Sequence, residues 1–354
     1  MYVASLSTLI QNNDLEQLMS DTQRKIKWGI AGLGNIANRF ATAVIEHCLH
    51  GELYAVAARD HSRAATFANK FGCDKAYGSY EKMAQDPDVE AVYIATVHPY
   101  HKPLAELFLS HKKHVLVEKP AFTNLGDWLE MKALANQNGV MLLEAMKTVV
   151  FPAYREIQSF LVDNNIQIDS IEASFGNHHD YEPGLFIFNP DLSGGATLDV
   201  GVYGLWFFYD LCRTLGVTPS EPQVEMSCLY EGANVDTDAC FTFSGDMNGK
   251  ISASTVQNLP RTAHLTGPDT KITIHEKWWN PAFIEIEHQG QKSTINCRVT
   301  GNGFEFEIDH FSGLVLQDKT ESDILSSEIT SRVLDTMEKA LIDSGYPHLT
   351  QPRR

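Results

Sequence analysis

Five short runs of the 354-residue chain bring together residue types that can do chemistry. The first is Gly32-x-Gly34-x-x-Ala37. Gly32 permits a tight turn, Gly34 lets backbone approach a pyrophosphate, and Ala37 allows close packing of helix on sheet. Asn35 and Ile36 open the following helix, whose free N–H groups and positive dipole end favour phosphate. The run therefore reads as a dinucleotide-binding loop, provided a strand precedes it and a helix follows. The second run is Val117-Glu118-Lys119-Pro120. A lysine beside a cationic nicotinamide and partly out of water should have a lowered pKa. That suits Lys119 to proton transfer or to bonding a substrate hydroxyl. Pro120 fixes a turn, with a cis bond as one way of doing so.

The third run, Ala57-Ala58-Arg59-Asp60-His61-Ser62-Arg63, ends a second strand. NAD-preferring sites place a carboxylate here for the ribose hydroxyls. Position 58 is alanine, and Arg59 offers a guanidinium to a 2′-phosphate or to the adenine face, with Arg63 nearby. This favours NADP, while Asp60 keeps NAD open as the alternative. Ala95-Thr96-Val97-His98-Pro99-Tyr100-His101 follows another strand, and Thr96 to His98 could line the nicotinamide ribose. His101 either joins them or caps the next helix. The fifth run is Gly194-Gly195-Ala196-Thr197-Leu198-Asp199-Val200-Gly201-Val202-Tyr203. On a helix, Asp199 and Tyr203 at i and i+4 share a face and could frame a small polyol. Tyr203 as a plain core aromatic is the competing reading.

These runs need elements to hold them. Apolar strands are expected at 27–31, 52–58, 91–95, 114–117 and 140–143. Helices are expected at 37–47, at 63–71 with Ser62 as its cap, and at 125–138. Strands apolar throughout, alternating with helices, indicate a doubly wound parallel sheet covered on both faces, over residues 25–150. From 151 to 354 the texture becomes α+β. A helix at 153–161 precedes alternating segments at 168–175, 224–230, 239–243, 250–255, 271–275 and 283–288. Period-two alternation indicates a mostly antiparallel sheet with one face packed. Helices at 196–215 and about 324–344 complete this half, and the last could pack back on the first domain. Residues 1–24 read as a polar N-terminal extension.

Composition narrows the function classes. Lys plus Arg is 28 against 45 Asp plus Glu, a net charge of −17. Such a chain is a poor candidate for wrapping nucleic acid or coating an anionic membrane. The six cysteines form no Cys-x-x-Cys pair and no zinc-like spacing, so we expect reduced thiols, no metal and a cytoplasmic protein. His178 and His179 are adjacent, point to opposite sides of a strand, and make a poor joint ligand set. No apolar run reaches the length of a membrane span, and no signal peptide is evident.

Taken together, the Gly32–Ala37 loop, Glu118-Lys119-Pro120 and Gly194-Gly195-x-x-x-Asp199-x-Gly201-x-Tyr203 resemble the Gfo/Idh/MocA oxidoreductase family over about residues 25 to 345. Glu144-Ala145-Met146-Lys147 and Phe151-Pro152-Ala153-Tyr154 are similar to its dimeric dihydrodiol dehydrogenase and D-xylose dehydrogenase branch. That branch usually has a tryptophan and an arginine where this chain has Lys147 and Val149. The resemblance implies an N-terminal Rossmann domain followed by an α+β domain with a large open sheet. It implies hydride transfer between nicotinamide C4 and a secondary alcohol carbon of a sugar, polyol or cyclic diol. Lys119 and Tyr203 become the proton-transfer candidates, with Asp199 orienting substrate and the Tyr203 phenolate favoured by the lysine. The cofactor set is Gly32, Gly34, Asn35, Ile36, Ala37, Arg59, Arg63, Thr96, His98, His101, Glu118 and Lys119. An uncovered apolar sheet face rarely stays solvated, so the open sheet is expected to make a homodimer. A nucleotide-binding regulator that has lost turnover is the alternative function.

Overall fold

The computed structural model describes residues 24–351, so the extension expected over residues 1–24 lies outside the described residues apart from Arg24. Six parallel strands form the first sheet: β1 (Ile26–Ala31), β2 (Gly51–Ala57), β3 (Lys75–Tyr77), β4 (Ala91–Ile94), β5 (His114–Glu118) and β6 (Leu142–Ala145). Their order is β3-β2-β1-β4-β5-β6. Every residue of β4 and β6 is buried, which explains the apolar run of β4 and, Glu144 apart, of β6. Helices α1 (Asn35–Glu46), α2 (His61–Phe71), α3 (Tyr80–Ala84), α4 (His101–Ser110) and α5 (Leu125–Asn138) connect them. The strand order reverses between β1 and β4, which opens a crevice at the strands' carboxyl ends. Strand β6 begins two residues later than its apolar run suggested. Three-residue β3 and five-residue α3 are too short for periodicity to reveal.

Helix α6 (Pro152–Asp163) leads into β7 (Ser170–Gly176). Next come α7 (Val202–Thr214), β8 (Gln223–Ser227), β9 (Asp238–Phe243), β10 (Asn248–Ser254), β11 (Ala263–Thr266), β12 (Thr270–Ile274), β13 (Phe283–His288) and β14 (Gln291–Asn296). They form an eight-stranded sheet in the order β14-β13-β12-β11-β7-β10-β9-β8. Only β7 and β10 pair in parallel. Alternation sorts its faces. Ile171, Phe241, Ile251, Ile272 and Ile284 are buried inside, while Glu172, Thr242, Lys250, Lys271 and Glu285 face outward. The outer face is thus polar, and the expected apolar surface is absent. Helix α7 presses on the inner face so closely that a Cβ on Gly204 would stand 2.3 Å from Ile251 Cγ2.

Two helices return to the first sheet. Helix α8 (Phe304–Leu316) was not expected, because Phe304-Glu305-Phe306-Glu307-Ile308-Asp309 alternates like a strand. Tertiary packing overrides that pattern: Trp28 Nε1 donates to Ser312 Oγ at 3.0 Å, and Asp309 accepts from the backbone of Leu49 and His50. The last helix, α9 (Ser327–Asp343), spans both halves. The Trp128 indole of α5 donates to Ser331 Oγ at 3.0 Å, and α9 also packs along α7. Glu144 of β6 ties the three regions together. Its buried carboxylate accepts from Ala121 N at 2.8 Å, Trp206 Nε1 at 2.5 Å and Thr330 Oγ1 at 3.0 Å. Among the described residues no helix is long and apolar enough to cross a membrane, and all six cysteines are free.

Candidate active site

Gly32 ends β1 with φ +91, and a Cβ there would stand 2.6 Å from Thr96 Cγ2. The glycine therefore serves both a left-handed turn and a close approach between β1 and the β4 end. Gly34 is different. A Cβ on it would meet nothing within 4 Å, because it faces open space at the start of α1. No side chain caps α1, so its first N–H groups remain available. They face a cavity of about 770 Å³ at the crevice between β1 and β4.

The second strand end corrects one expectation. Asp60, not Ser62, caps α2; it accepts from Ser62 N at 2.8 Å and Ser62 Oγ at 2.9 Å. These bonds hold its carboxyl below the usual range. The carboxylate nearest the expected ribose position is thus already committed to the helix start. Arg59 lies over the Tyr100 ring at 5.3 Å and lines the cavity. Arg63 donates to Leu33 O at 2.9 Å, which ties α2 to the glycine loop.

Gly32, Gly34, Asn35, Ile36, Arg59, Arg63, Thr96, His98, Glu118 and Lys119 all line this cavity. Ala37 and His101 do not. Ala37 is fully buried under the loop, as its small size allows. His101, also fully buried, braces the loops: its ring nitrogens face the carbonyls of Thr96, Pro120 and Ala121. His98 Nδ1 lies 2.8 Å from Ser193 O. Burial, then His101, push the His98 pKa down to about 3, so it is neutral and donates to that carbonyl. Sequence reasoning missed Tyr80, Tyr100 and Phe186 as wall residues: Tyr80 opens the short α3, Tyr100 lies in the run after β4 without being singled out, and Phe186 sits in no recognisable motif. His178 and His179 each face a backbone carbonyl of the 255–256 segment and line no described cavity.

The Lys119 ammonium lies 2.6 Å from Asp199 O, 3.1 Å from Asp199 Oδ1 and 5.0 Å from the Tyr203 ring centre. The Lys119–Pro120 bond is cis. Asp199 reaches this place on a π-helical turn, Thr197–Gly201, ahead of α7. That turn is anchored by Asp236, which accepts from Thr197 N and Thr197 Oγ1, both at 2.7 Å. Gly195, at φ +110, could carry no side chain, because its Cβ would stand 2.2 Å from Asp236 Oδ1. The paired glycines thus seat the turn that carries Asp199.

The charges here reverse two expectations. Burial works against the Lys119 ammonium, yet Asp199, with Tyr203 and Glu118, raises its pKa above the usual lysine value. Burial pushes Tyr203 up to about 12, although Lys119 pulls the other way. Both groups stand protonated near neutrality. Glu118, buried beside them, accepts from Tyr93 OH and from Lys119 N. Its carboxyl is raised by burial. A second cavity of about 330 Å³ adjoins the first across Ile36 and Glu118, and Tyr203 lines it.

The larger cavity suits a dinucleotide. It has an uncapped helix start, a glycine that leaves backbone exposed, two guanidinium groups, and Thr96 Oγ1 buried without a hydrogen-bond partner. Among the described residues no cluster of metal-ligating side chains is present.

Comparison with known proteins agrees with this geometry. Residues 26–146 match the model of an oxidoreductase family described as having an NAD-binding Rossmann fold. The chain is 34% identical over 334 residues to trans-1,2-dihydrobenzene-1,2-diol dehydrogenase of Mus musculus, covering 89% of this chain and 97% of that one. It is 30% identical to the Homo sapiens protein of the same name, at the same coverage. Among solved structures, a 3-ketoreductase from Actinomadura kijaniata, crystallised with TDP-benzene and NADP, superposes with a TM-score of 0.74 at 22% identity, covering 90% of this chain and 96% of that one. An aldose–aldose oxidoreductase from Caulobacter crescentus superposes with a TM-score of 0.79 at 20% identity, covering 91% and 98%.

The open space at Gly34 separates folding from binding. Gly34→Val should fold with a melting temperature near that of the wild type and bind NADP at least about tenfold more weakly, read by fluorescence titration. Unchanged NADP affinity would remove the glycine loop from the cofactor site.

Proposed function

The chain belongs to the Gfo/Idh/MocA oxidoreductase family, and from that premise we propose that it is an NADP-dependent dehydrogenase acting on a secondary alcohol of a sugar, polyol or cyclic diol. The observation that carries this reading is the Lys119 ammonium, held by Asp199 and set over Tyr203 where two cavities adjoin. Bound in the larger cavity, the nicotinamide accepts or supplies the hydride. The chain's own residues supply binding and the proton. The start of α1 with Gly34 holds the pyrophosphate, and Arg59 with Arg63 takes the 2′-phosphate. Support for NADP over NAD comes from Asp60, whose carboxylate is occupied by Ser62.

Asp199 orients Lys119 and, with it, the substrate hydroxyls. Lys119 and Tyr203, both protonated near neutrality, are ready to give a proton to a substrate oxygen when a carbonyl is reduced. For alcohol oxidation the same group must start deprotonated. Its raised pKa moves that state toward alkaline pH. Oxidation should therefore accelerate as pH rises above neutrality, whereas reduction should stay nearly flat until pH approaches that raised pKa.

We also infer a homodimer through the outer face of the eight-stranded sheet, which no helix of the described residues covers. Its polar side chains fit a wet, hydrogen-bonded contact rather than an apolar one.

Three measurements check these readings. Lys119→Met and Tyr203→Phe should each lower kcat/KM by about 10²–10⁴-fold, and the variant that flattens the pH profile identifies the proton carrier. An oxidation optimum below neutral pH, or near-normal rates in both variants, would contradict the assignment. Arg59→Ala should shrink the NADP-to-NAD ratio of kcat/KM by roughly tenfold or more, as expected for a lost charge-assisted hydrogen bond; an unchanged ratio removes Arg59 from cofactor choice. Light scattering should give twice the 39.5 kDa chain mass, and a mass of 39.5 kDa defeats the dimer.

A further inference from the structure

The smaller cavity, about 330 Å³, lies at the low end for small-molecule sites and suits one ring with its substituents. Its walls are strongly cationic. Arg39, Lys147, Arg261 and Lys277 all line it. Lys147 is only 7% exposed, and no described residue gives its ammonium a hydrogen bond or an ion pair. Its neighbour is the Phe304 ring, 4.8 Å away. Burial, then the Arg39 charge, lowers its pKa to about 8, so it is still mainly charged near neutrality. A buried ammonium without a partner is costly unless something completes it.

Four cationic side chains line this cavity against two acids, Glu118 and Glu307. Glu118 is engaged by Tyr93 and by Lys119 N. Glu305 accepts from Gly303 N at 2.8 Å. Glu307 lines the cavity with both carboxyl oxygens buried and unpartnered. Burial and then Glu118 raise its pKa well above normal, while Lys147 pulls it down. Trp279 also lines the cavity and stacks on Phe175 at 3.6 Å, and Phe175 abuts Tyr203 at 5.5 Å. An aromatic face next to the proton donor suits the C–H face of a sugar ring. Asn280 Oδ1, buried and unpartnered, is an acceptor left for a hydroxyl.

We infer that the substrate is a polyhydroxylated ring bearing an anionic group, a carboxylate or a phosphate. Lys147, with Arg39, Arg261 and Lys277, binds that group, while the ring lies on Trp279 with its reacting hydroxyl toward Tyr203 and Lys119. This rests on the hydride-transfer reading above. A neutral diol would leave the buried ammonium unpaired.

The test uses the full-length protein with NADP and matched substrates: glucose, glucuronate, glucose 6-phosphate and trans-1,2-dihydrobenzene-1,2-diol. The best anionic sugar should exceed glucose and the diol in kcat/KM by about tenfold or more, and Lys147→Gln should cut that ratio by a similar factor. Glucuronate against glucose 6-phosphate distinguishes carboxylate from phosphate. Lys277→Gln, at an exposed position, should cut the ratio less and keeps the test valid if Lys147→Gln fails to fold. Turnover of the neutral compounds at equal or better efficiency overturns the anion site and leaves the dehydrogenase reading intact. If nothing is turned over, calorimetry with glucuronate, glucose 6-phosphate and inorganic phosphate decides. Binding that weakens in either variant supports the anion site while the hydride-transfer reading fails, and absence of binding overturns the site itself.

Discussion

A lysine ammonium taken out of water needs opposite charge close at hand, and Lys119 finds its ion-pair partner across the seam between two sheets. The lysine directly follows β5 of the parallel sheet, whereas Asp199 belongs to the turn before α7, which packs on the antiparallel sheet. Their meeting at 3.1 Å sets the relative placement of the halves at the point where chemistry is proposed. Removing either partner would leave a half-buried charge uncompensated. Glu144 makes a second crossing nearby through Trp206 and Thr330. The seam is therefore built from buried polar bonds as well as apolar packing, and such bonds tolerate few alternative docking arrangements.

The same constraint explains local features that look unrelated. The π-helical turn needs room, and the glycines at 194 and 195 provide it against Phe186 and Asp236. Gly204 lets α7 settle on Ile251 and so brings the turn down toward β5. The histidines after β4 serve the crevice from behind. His101 laces the Thr96 and Pro120 loops, and His98 ties β4's exit to Ser193 of the second half. Phe186 packs edge-on against His98 at 5.7 Å and closes the cavity wall from the second half.

Charge is distributed unevenly. The chain carries −17 overall, yet its inner cavities collect Arg39, Arg59, Arg63, Lys119, Lys147 and Arg261. Net acidity keeps nonspecific anions such as nucleic acid away from the surface, while the recessed cations act at short range where screening is weak. A pyrophosphate cofactor and an acidic substrate would both find their compensation inside.

How much of this was legible beforehand follows from the range of each interaction. The doubly wound half could be read because its strands are buried on both faces and its glycine loop obeys local sterics. Ala58 and Arg59 were visible for the same reason. The cap of α2 was misjudged by two residues, since Asp60 and Ser62 are both good caps and only the observed dihedrals separate them. Helix α8 was invisible: its alternating start imitates a strand, and only docking through Trp28 and Asp309 makes it a helix. With it went Glu307 and Phe304, and the walls from Lys147, Arg261, Lys277 and Trp279 were missed too. Lys147 lies more than a hundred positions before Arg261, Lys277 and Trp279, and no motif links them. Sequence alone determined the elements and the candidate residues, because periodicity and turn chemistry are local. Tertiary structure alone decided the protonation of Lys119 and Tyr203 and the cationic lining of the second cavity, because burial and charge pairing depend on neighbours that only folding brings together.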